Sequence, residues 1–202
     1  MRTEKAPNPA RRSERSRQAI LTAALDLVIE VGYRKLTMEA IAGKAGVGKQ
    51  TIYRWWPSKG AVVLDAILAL SQGDTGDSTL PDTGDVEADL KLVLRASLEE
   101  MGDRRFDVLY RAVITEIQYD PALTEEMGRR LLGPMLELSK DRLRAAQRAG
   151  QIAENADLDV AVELIYGSVY YRWLLGTGPL TAEYADRVVD WALNGLRPRP
   201  AG

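Results

Sequence analysis

Apolar residues recur at three- and four-residue spacing along almost the whole chain. No segment sustains the two-residue alternation with β-branched enrichment that a strand requires. The sequence therefore predicts an all-α fold of about nine helices. Ile20, Ala24, Leu27, Val28 and Val31 mark the first helix, with Ser13 as its cap and Gly32 as its stop. Thr37 reads as the N-cap of a short helix whose apolar face is Met38, Ile41, Ala42 and Ala45. Gly46 breaks that helix, and Val47-Gly48 opens another that runs to Trp55 or Trp56. Pro57-Ser58 stops it, and Ser58 caps a fourth helix carrying Ala61, Leu64, Ala66, Ile67 and Leu70.

Residues 71–85, rich in Gly, Asp, Ser, Thr and Pro, read as a loop. Beyond it, Val86, Leu90, Leu94, Leu98 and Met101 mark one helix, and Phe106, Leu109, Tyr110, Val113 and Ile117 the next. Asp120-Pro121 is a cap followed by proline at the first helical position. It starts a long helix to Ala149, stopped by Gly150 and kinked at Gly133-Pro134. Asp157 or Asp159 opens a helix through Leu175, and Thr181 caps a last one to Asn194, ended by Gly195. There are no internal repeats.

Composition removes whole classes of chemistry. The chain has no Cys and no His, so thiolate sites, the usual zinc sites, Ser-His-Asp triads and any histidine base are gone. Neither a cofactor nor a metal is expected. No apolar run approaches the ~18 residues needed to span a bilayer, and the polar start lacks a signal-peptide core, so a cytoplasmic protein without membrane contact is expected. The net charge of −2 conceals an asymmetry. Residues 1–60 hold 12 Lys and Arg against 5 Asp and Glu, a balance of +7, and residues 61–202 hold 15 against 24, a balance of −9. A basic module on an acidic remainder suits a polyanion such as nucleic acid, although surface charge also clusters by chance.

Residues 37–59 carry the informative constellation. Two short helices joined by a glycine-containing turn of about three residues have helix-turn-helix spacing, in which the second helix enters the major groove. On that second helix Ile52 and Trp56 are four apart with Val47 before them, so these three face the core. Lys49, Gln50, Tyr53 and Arg54 then fall on the exposed side. Lys can donate to guanine O6 and N7, and Gln can bond adenine N6 and N7. Tyr53, Arg54 and Lys59 suit phosphate contacts, and Gly48 leaves room for DNA to approach the backbone. A plain helical hairpin with a solvated polar face fits the same spacing. Arg11, Arg12, Arg15 and Arg17 form a basic arm suited to a minor groove or flanking phosphates, or else a solvated leader.

At these residues the sequence resembles the tetracycline-repressor (TetR) family of bacterial transcription regulators. The matching text is Thr37 to Ala45-Gly46-Val47, then Thr51-Ile52-Tyr53-Arg54-Trp55-Trp56-Pro57-Ser58-Lys59. The resemblance implies that Thr37, Tyr53, Trp55 and Lys59 touch phosphates and that Lys49, Gln50 and Thr51 reach bases. Three positions depart from the family pattern. Trp55 stands where His or Tyr is common, Trp56 where Phe is usual, and Gly60 where an acidic residue commonly follows the lysine. The resemblance further implies a homodimer on double-stranded DNA with an inverted-repeat operator, and a helical C-terminal domain for dimerisation and a small-molecule effector. Expected boundaries are 1–12 for a flexible basic arm, 13–60 for the helix-turn-helix domain, 61–196 for ligand binding and dimerisation, and 197–202 for a tail.

The C-terminal half has no catalytic constellation, and a non-enzyme is expected. Phe106, Tyr110, Tyr166, Tyr170, Tyr171 and Trp173, with Met101, Met127 and Met135, concentrate on few helices. Singly these are core residues. As a set, Met101, Phe106, Tyr110, Met127, Met135, Tyr166, Tyr170 and Trp173 suit a pocket for a largely apolar or aromatic ligand. Tyr170-Tyr171-Arg172 followed by Gly178-Pro179-Leu180 resembles one group of TetR C-terminal domains, which makes Leu164, Ser168, Tyr171, Leu175, Val188 and Trp191 the dimer-interface candidates. The expected function is a ligand-released repressor. Its rival is a DNA-binding protein whose C-terminal domain takes a protein partner.

Overall fold

In the computed structural model, residues 9–71 and 80–198 are described. They form helices α1 (Pro9–Val31), α2 (Met38–Ala45), α3 (Lys49–Tyr53), α4 (Lys59–Ser71), α5 (Val86–Gly102), α6 (Arg104–Ile117), α7 (Pro121–Met127), α8 (Gly133–Arg148), α9 (Leu158–Leu175) and α10 (Ala182–Leu196). A 3-10 turn at Tyr33–Lys35 precedes α2, and a π turn at Gly128–Leu132 joins α7 to α8 without a break. With α7 and α8 taken as one interrupted helix, the described residues hold nine helices and no strand, as the periodicity requires.

The caps are where side-chain chemistry places them. Thr37 Oγ1 accepts the Ala40 N–H at 3.1 Å, and Asp120 Oδ1 accepts from Leu123 at 3.1 Å. Asp157 and Thr181 cap α9 and α10 in the same way. Gly46 closes α2 in the left-handed conformation, with φ 65°. At Pro134 the ring has no N–H and would collide with the carbonyl of residue 130. The π turn just before it widens the backbone where the sequence predicts a kink.

Three boundaries differ from expectation. α1 begins at Pro9 rather than at Ser13, so residues 9–12 of the expected arm are helical. Proline is favoured at a first helical position, and the Ala and Arg that follow it are strong helix formers. Residues 1–8 lie outside the described residues, as do 72–79 of the expected loop and 199–202 of the expected tail. α3 ends at Tyr53, and the N–H groups of Trp55 and Trp56 both return to the Ile52 carbonyl. α10 passes through Gly195 to Leu196. Its stop is set instead by Arg197, which is extended (φ −60°, ψ 148°) because Pro198 follows.

The described residues divide into two compact units, 9–71 with 105–125, and 80–104 with 126–198. In the first, α1 packs against α2 and α4, and α2 against α3. Ile20, Leu21, Val28, Ile41, Ile52 and Leu64 are buried in its core. The first unit thus takes in α4 and most of α6 as well as residues 13–60. In the second unit α5 packs on α10, α8 on α9, and α9 on α10. Asp89 of α5 and Arg142 of α8 are both buried there and paired, with Arg142 Nε 2.8 Å from Asp89 Oδ2.

Candidate nucleic-acid interface

α3 has only five residues, so its orientation is set by what it buries rather than by its own hydrogen bonds. Ile52 is fully buried and Trp56 nearly so, while Val47 is half-buried. Trp56 Nε1 donates to Asp65 Oδ2 of α4 at 2.9 Å, a buried bond that ties the end of the turn to the core. Arg17 of α1 reaches the same oxygen at 3.4 Å. Lys49, Gln50, Tyr53 and Arg54 are left exposed, as their spacing predicts, and Thr51 is half-buried. Trp55 lies at the edge of this surface, with its ring stacked on Trp56 at 5.7 Å.

Neither the backbone nor a neighbour demands glycine at position 48. Its φ is −70°, and a Cβ there would meet only Thr51 Oγ1 at 3.9 Å. The Thr37 oxygen accepts the cap bond, and its hydroxyl hydrogen remains a donor at an exposed position.

Lys59 is placed differently from its exposed counterparts. Its ammonium donates to the carbonyls of Tyr33 (3.1 Å) and Leu36 (3.2 Å) and sits 4.3 Å from the Tyr33 ring centroid. Two of its three N–H groups therefore hold the turn that leads into Thr37, and one is left for an outside acceptor. The glycine after it has a local cause. A Cβ at Gly60 would lie 2.7 Å from Leu123 Cδ2 and 3.2 Å from Tyr33 Oη, so any side chain here, the acidic residue common in the family included, requires Leu123 to shift.

Two contacts were not visible in the sequence pattern. Lys49 Nζ bonds Glu39 Oε1 of α2 and lies 5.5 Å from the Tyr53 ring centroid. Asp65 lies outside the expected DNA-binding residues yet anchors the tryptophan that aims them. A single charge in the otherwise apolar run from Ala61 to Leu68 is the signal that could have found it. The reading of Arg17 as an arm residue is corrected. It is half-buried and drawn inward by Asp65, with Glu14 at 3.6 Å. Arg15 is exposed, and the side chains of Arg11 and Arg12 fall outside the described residues.

In the second unit Met101, Met127, Tyr166 and Trp173 are buried, and Met135 and Tyr170 half-buried. Tyr166 Oη and Ser139 Oγ are hydrogen-bonded at 3.0 Å, and Tyr170 meets Trp173 edge-to-face at 6.1 Å. Burial pushes the Tyr166 phenol upward, so it stays protonated. Phe106 and Tyr110 belong to the first unit, where they stack on each other at 4.8 Å. On α9 and α10, Leu164, Tyr171, Leu175 and Trp191 are exposed, Trp191 by 77%. A groove of 390 Å³ runs among Leu164, Ser168, Val188 and Trp191.

The family model for bacterial regulatory proteins of the tetR family matches residues 20–66, and that for the tetracyclin repressor-like C-terminal domain matches residues 80–192. The chain belongs to the TetR family. It is 33% identical to an uncharacterized HTH-type transcriptional regulator, YdeS of Bacillus subtilis, over 94% of each chain. It is 28% identical to a DNA-binding transcriptional repressor, TetR, of Mycobacteroides abscessus, over 89% of this chain and 92% of that one. The crystal structure of the TetR-family transcription regulator SCO0332 superposes with a TM-score of 0.72 at 33% identity, covering 91% of this chain and 99% of that one. Like its TetR-family relatives, the chain is a DNA-binding transcriptional regulator and not an enzyme. Among the described residues no helix is long and apolar enough to cross a membrane, and no cluster of acidic side chains could hold a metal ion.

Proposed function

We infer that this TetR-family chain is a homodimeric repressor that binds an inverted-repeat operator in the cytoplasm and is released from it by a small effector. The carrying observation is the division of residues 49–56 into a buried anchor, Ile52 with Trp56, and an exposed polar face. Lys49, Gln50 and Thr51 read base edges on this proposal, while Thr37, Tyr53, Arg54, Trp55 and Lys59 set register on phosphates and Gly48 admits close approach. The helix-turn-helix of residues 13–60 supplies the reading surface, and residues 61–196 supply the effector site and dimer face.

The exposed apolar residues of α9 and α10 support a two-fold pairing through Leu164, Ser168, Tyr171, Leu175, Val188 and Trp191. Such a dimer would set two recognition helices about 34–36 Å apart, one helical turn of DNA. Effector candidates within the second unit are Met101, Met127, Met135, Tyr166, Tyr170 and Trp173, whose apolar surfaces with one buried phenol–hydroxyl pair suit a largely apolar or aromatic molecule. The stacked pair Phe106 and Tyr110 is carried as a further candidate. Release requires the effector to favour the DNA-incompetent state by a few kcal/mol.

Selection of random duplex DNA on the purified protein at one stated salt concentration tests the reading. Recovery of an inverted repeat with half-site centres about 10–10.5 base pairs apart is expected. Salt-sensitive binding with no enriched sequence would overturn it.

A further inference from the structure

Lys49 is the first residue of α3 and carries a flexible point charge, the kind of group that neutralises any phosphate within reach. In the folded chain it is not loose. Its ammonium is bonded to the Glu39 carboxylate of α2 and faces the Tyr53 ring, so three exposed side chains from two helices form one cluster. The ammonium of Lys49 holds the Glu39 carboxyl below the ordinary range, and the carboxylate holds the ammonium above its own, so both remain charged at neutral pH.

Such a solvent-exposed pair contributes little to folding. On DNA, however, the two targets open to Lys49 differ in charge. A guanine edge offers neutral acceptors, O6 and N7, which the ammonium can take with its remaining N–H groups while it still holds Glu39. A phosphate is an anion. For Lys49 to neutralise one, either the Glu39 bond must break or the phosphate must come to rest beside the Glu39 carboxylate, and both cost free energy.

We propose that Glu39 is a specificity-determining residue that acts through Lys49, penalising the phosphate-bound, non-specific mode more than the base-bound mode. This inference rests on the reading of α3 as the base-contacting helix. It differs from a base contact by Glu39 itself, because the effect vanishes without Lys49. Discrimination here comes from weakening the wrong complex rather than from strengthening the right one.

The test is a cycle of Glu39→Gln, Lys49→Met and the double variant, each titrated with the selected operator and with a scrambled duplex over a salt series. Glu39→Gln should tighten scrambled DNA about 5–10-fold more than operator and steepen the scrambled-DNA salt slope by about one. In the Lys49→Met background the same change should leave the operator-to-scrambled ratio unaltered. If Glu39→Gln tightens both DNAs equally, or shifts the ratio as much without Lys49, the carboxylate acts as bulk charge and the proposal falls. If Lys49→Met alone changes binding to neither DNA, the base-reading role of Lys49 fails instead, an outcome separable from the first. Circular dichroism melts of all three variants confirm that each is folded.

Discussion

Each unit buries a carboxylate, and the two are satisfied in opposite ways. Asp65 in the first unit accepts from a neutral indole N–H at 2.9 Å and from a half-exposed Arg17 at 3.4 Å. Asp89 in the second unit is 2% exposed. It accepts from Arg142, itself 4% exposed, and from the Thr83 amide (3.1 Å) and hydroxyl (2.7 Å). One carboxylate aims a surface and the other joins two core helices. The lesson is that a buried acid whose main partner is neutral can be lost at modest cost, whereas one that compensates a buried guanidinium cannot.

The largest expected effect follows from that asymmetry. Asp89→Ala leaves the buried Arg142 to the exposed Asp82, 3.5 Å away, and should cost about 3 kcal/mol in urea unfolding. A loss below 1 kcal/mol would erase the contrast. The same pair sets an acid limit. Burial alone would raise the Asp89 carboxyl, but the Thr83 and Arg142 bonds outweigh it and hold the group below its ordinary range. A carboxyl that titrates lower in the folded state stabilises fully above its unfolded value of about 3.9 and loses that contribution as pH falls towards the folded value. Unfolding free energy should therefore drop below pH ~4, and Asp89→Asn should flatten that slope.

Asp65→Ala comes next, at about 1–3 kcal/mol, for an indole N–H left unsatisfied in the core. Because Trp56 anchors α3, operator affinity should fall further than stability does. Equal costs at Asp65 and Asp89 would mean that the neutral and charged arrangements do not differ. Trp56→Phe keeps an aromatic ring but loses the indole's volume and its bond to the buried Asp65 carboxylate, so about 1–3 kcal/mol is expected here too, measured beside operator binding. Arg17→Ala is the smallest, below ~1 kcal/mol, with the salt slope of DNA binding unchanged. A slope lower by one would return Arg17 to the phosphate backbone.

Asp89 and Glu39 mark the limit of what the chain reveals on reading. Caps at Thr37, Asp120 and Thr181 were legible because each is satisfied within three residues of itself, and at α9 the structure selects Asp157 from the two aspartates the sequence offered. The outward set Lys49, Gln50, Tyr53 and Arg54 followed from its spacing against Ile52 and Trp56 in the same way. Asp89 meets Arg142 across 53 positions, and Glu39 meets Lys49 across ten and a change of helix. No local period encodes such pairs. The division of the aromatic set was hidden for the same reason, since Phe106 and Tyr110 pack in one unit and Tyr166, Tyr170 and Trp173 in the other. Gly195 misled because glycine marks a helix end only where the backbone needs positive φ, and here the following proline supplies the stop.

Gly60 has a consequence for how relatives of this chain can diverge. Its bare Cα is filled by Leu123 from α7, so the two positions share one volume although they lie far apart in the sequence. A relative with a side chain at 60 must shift or shrink residue 123, and one that shrinks 123 opens a gap that a residue at 60 can fill. The two should exchange bulk together, as a linked pair of characters in the history of this branch.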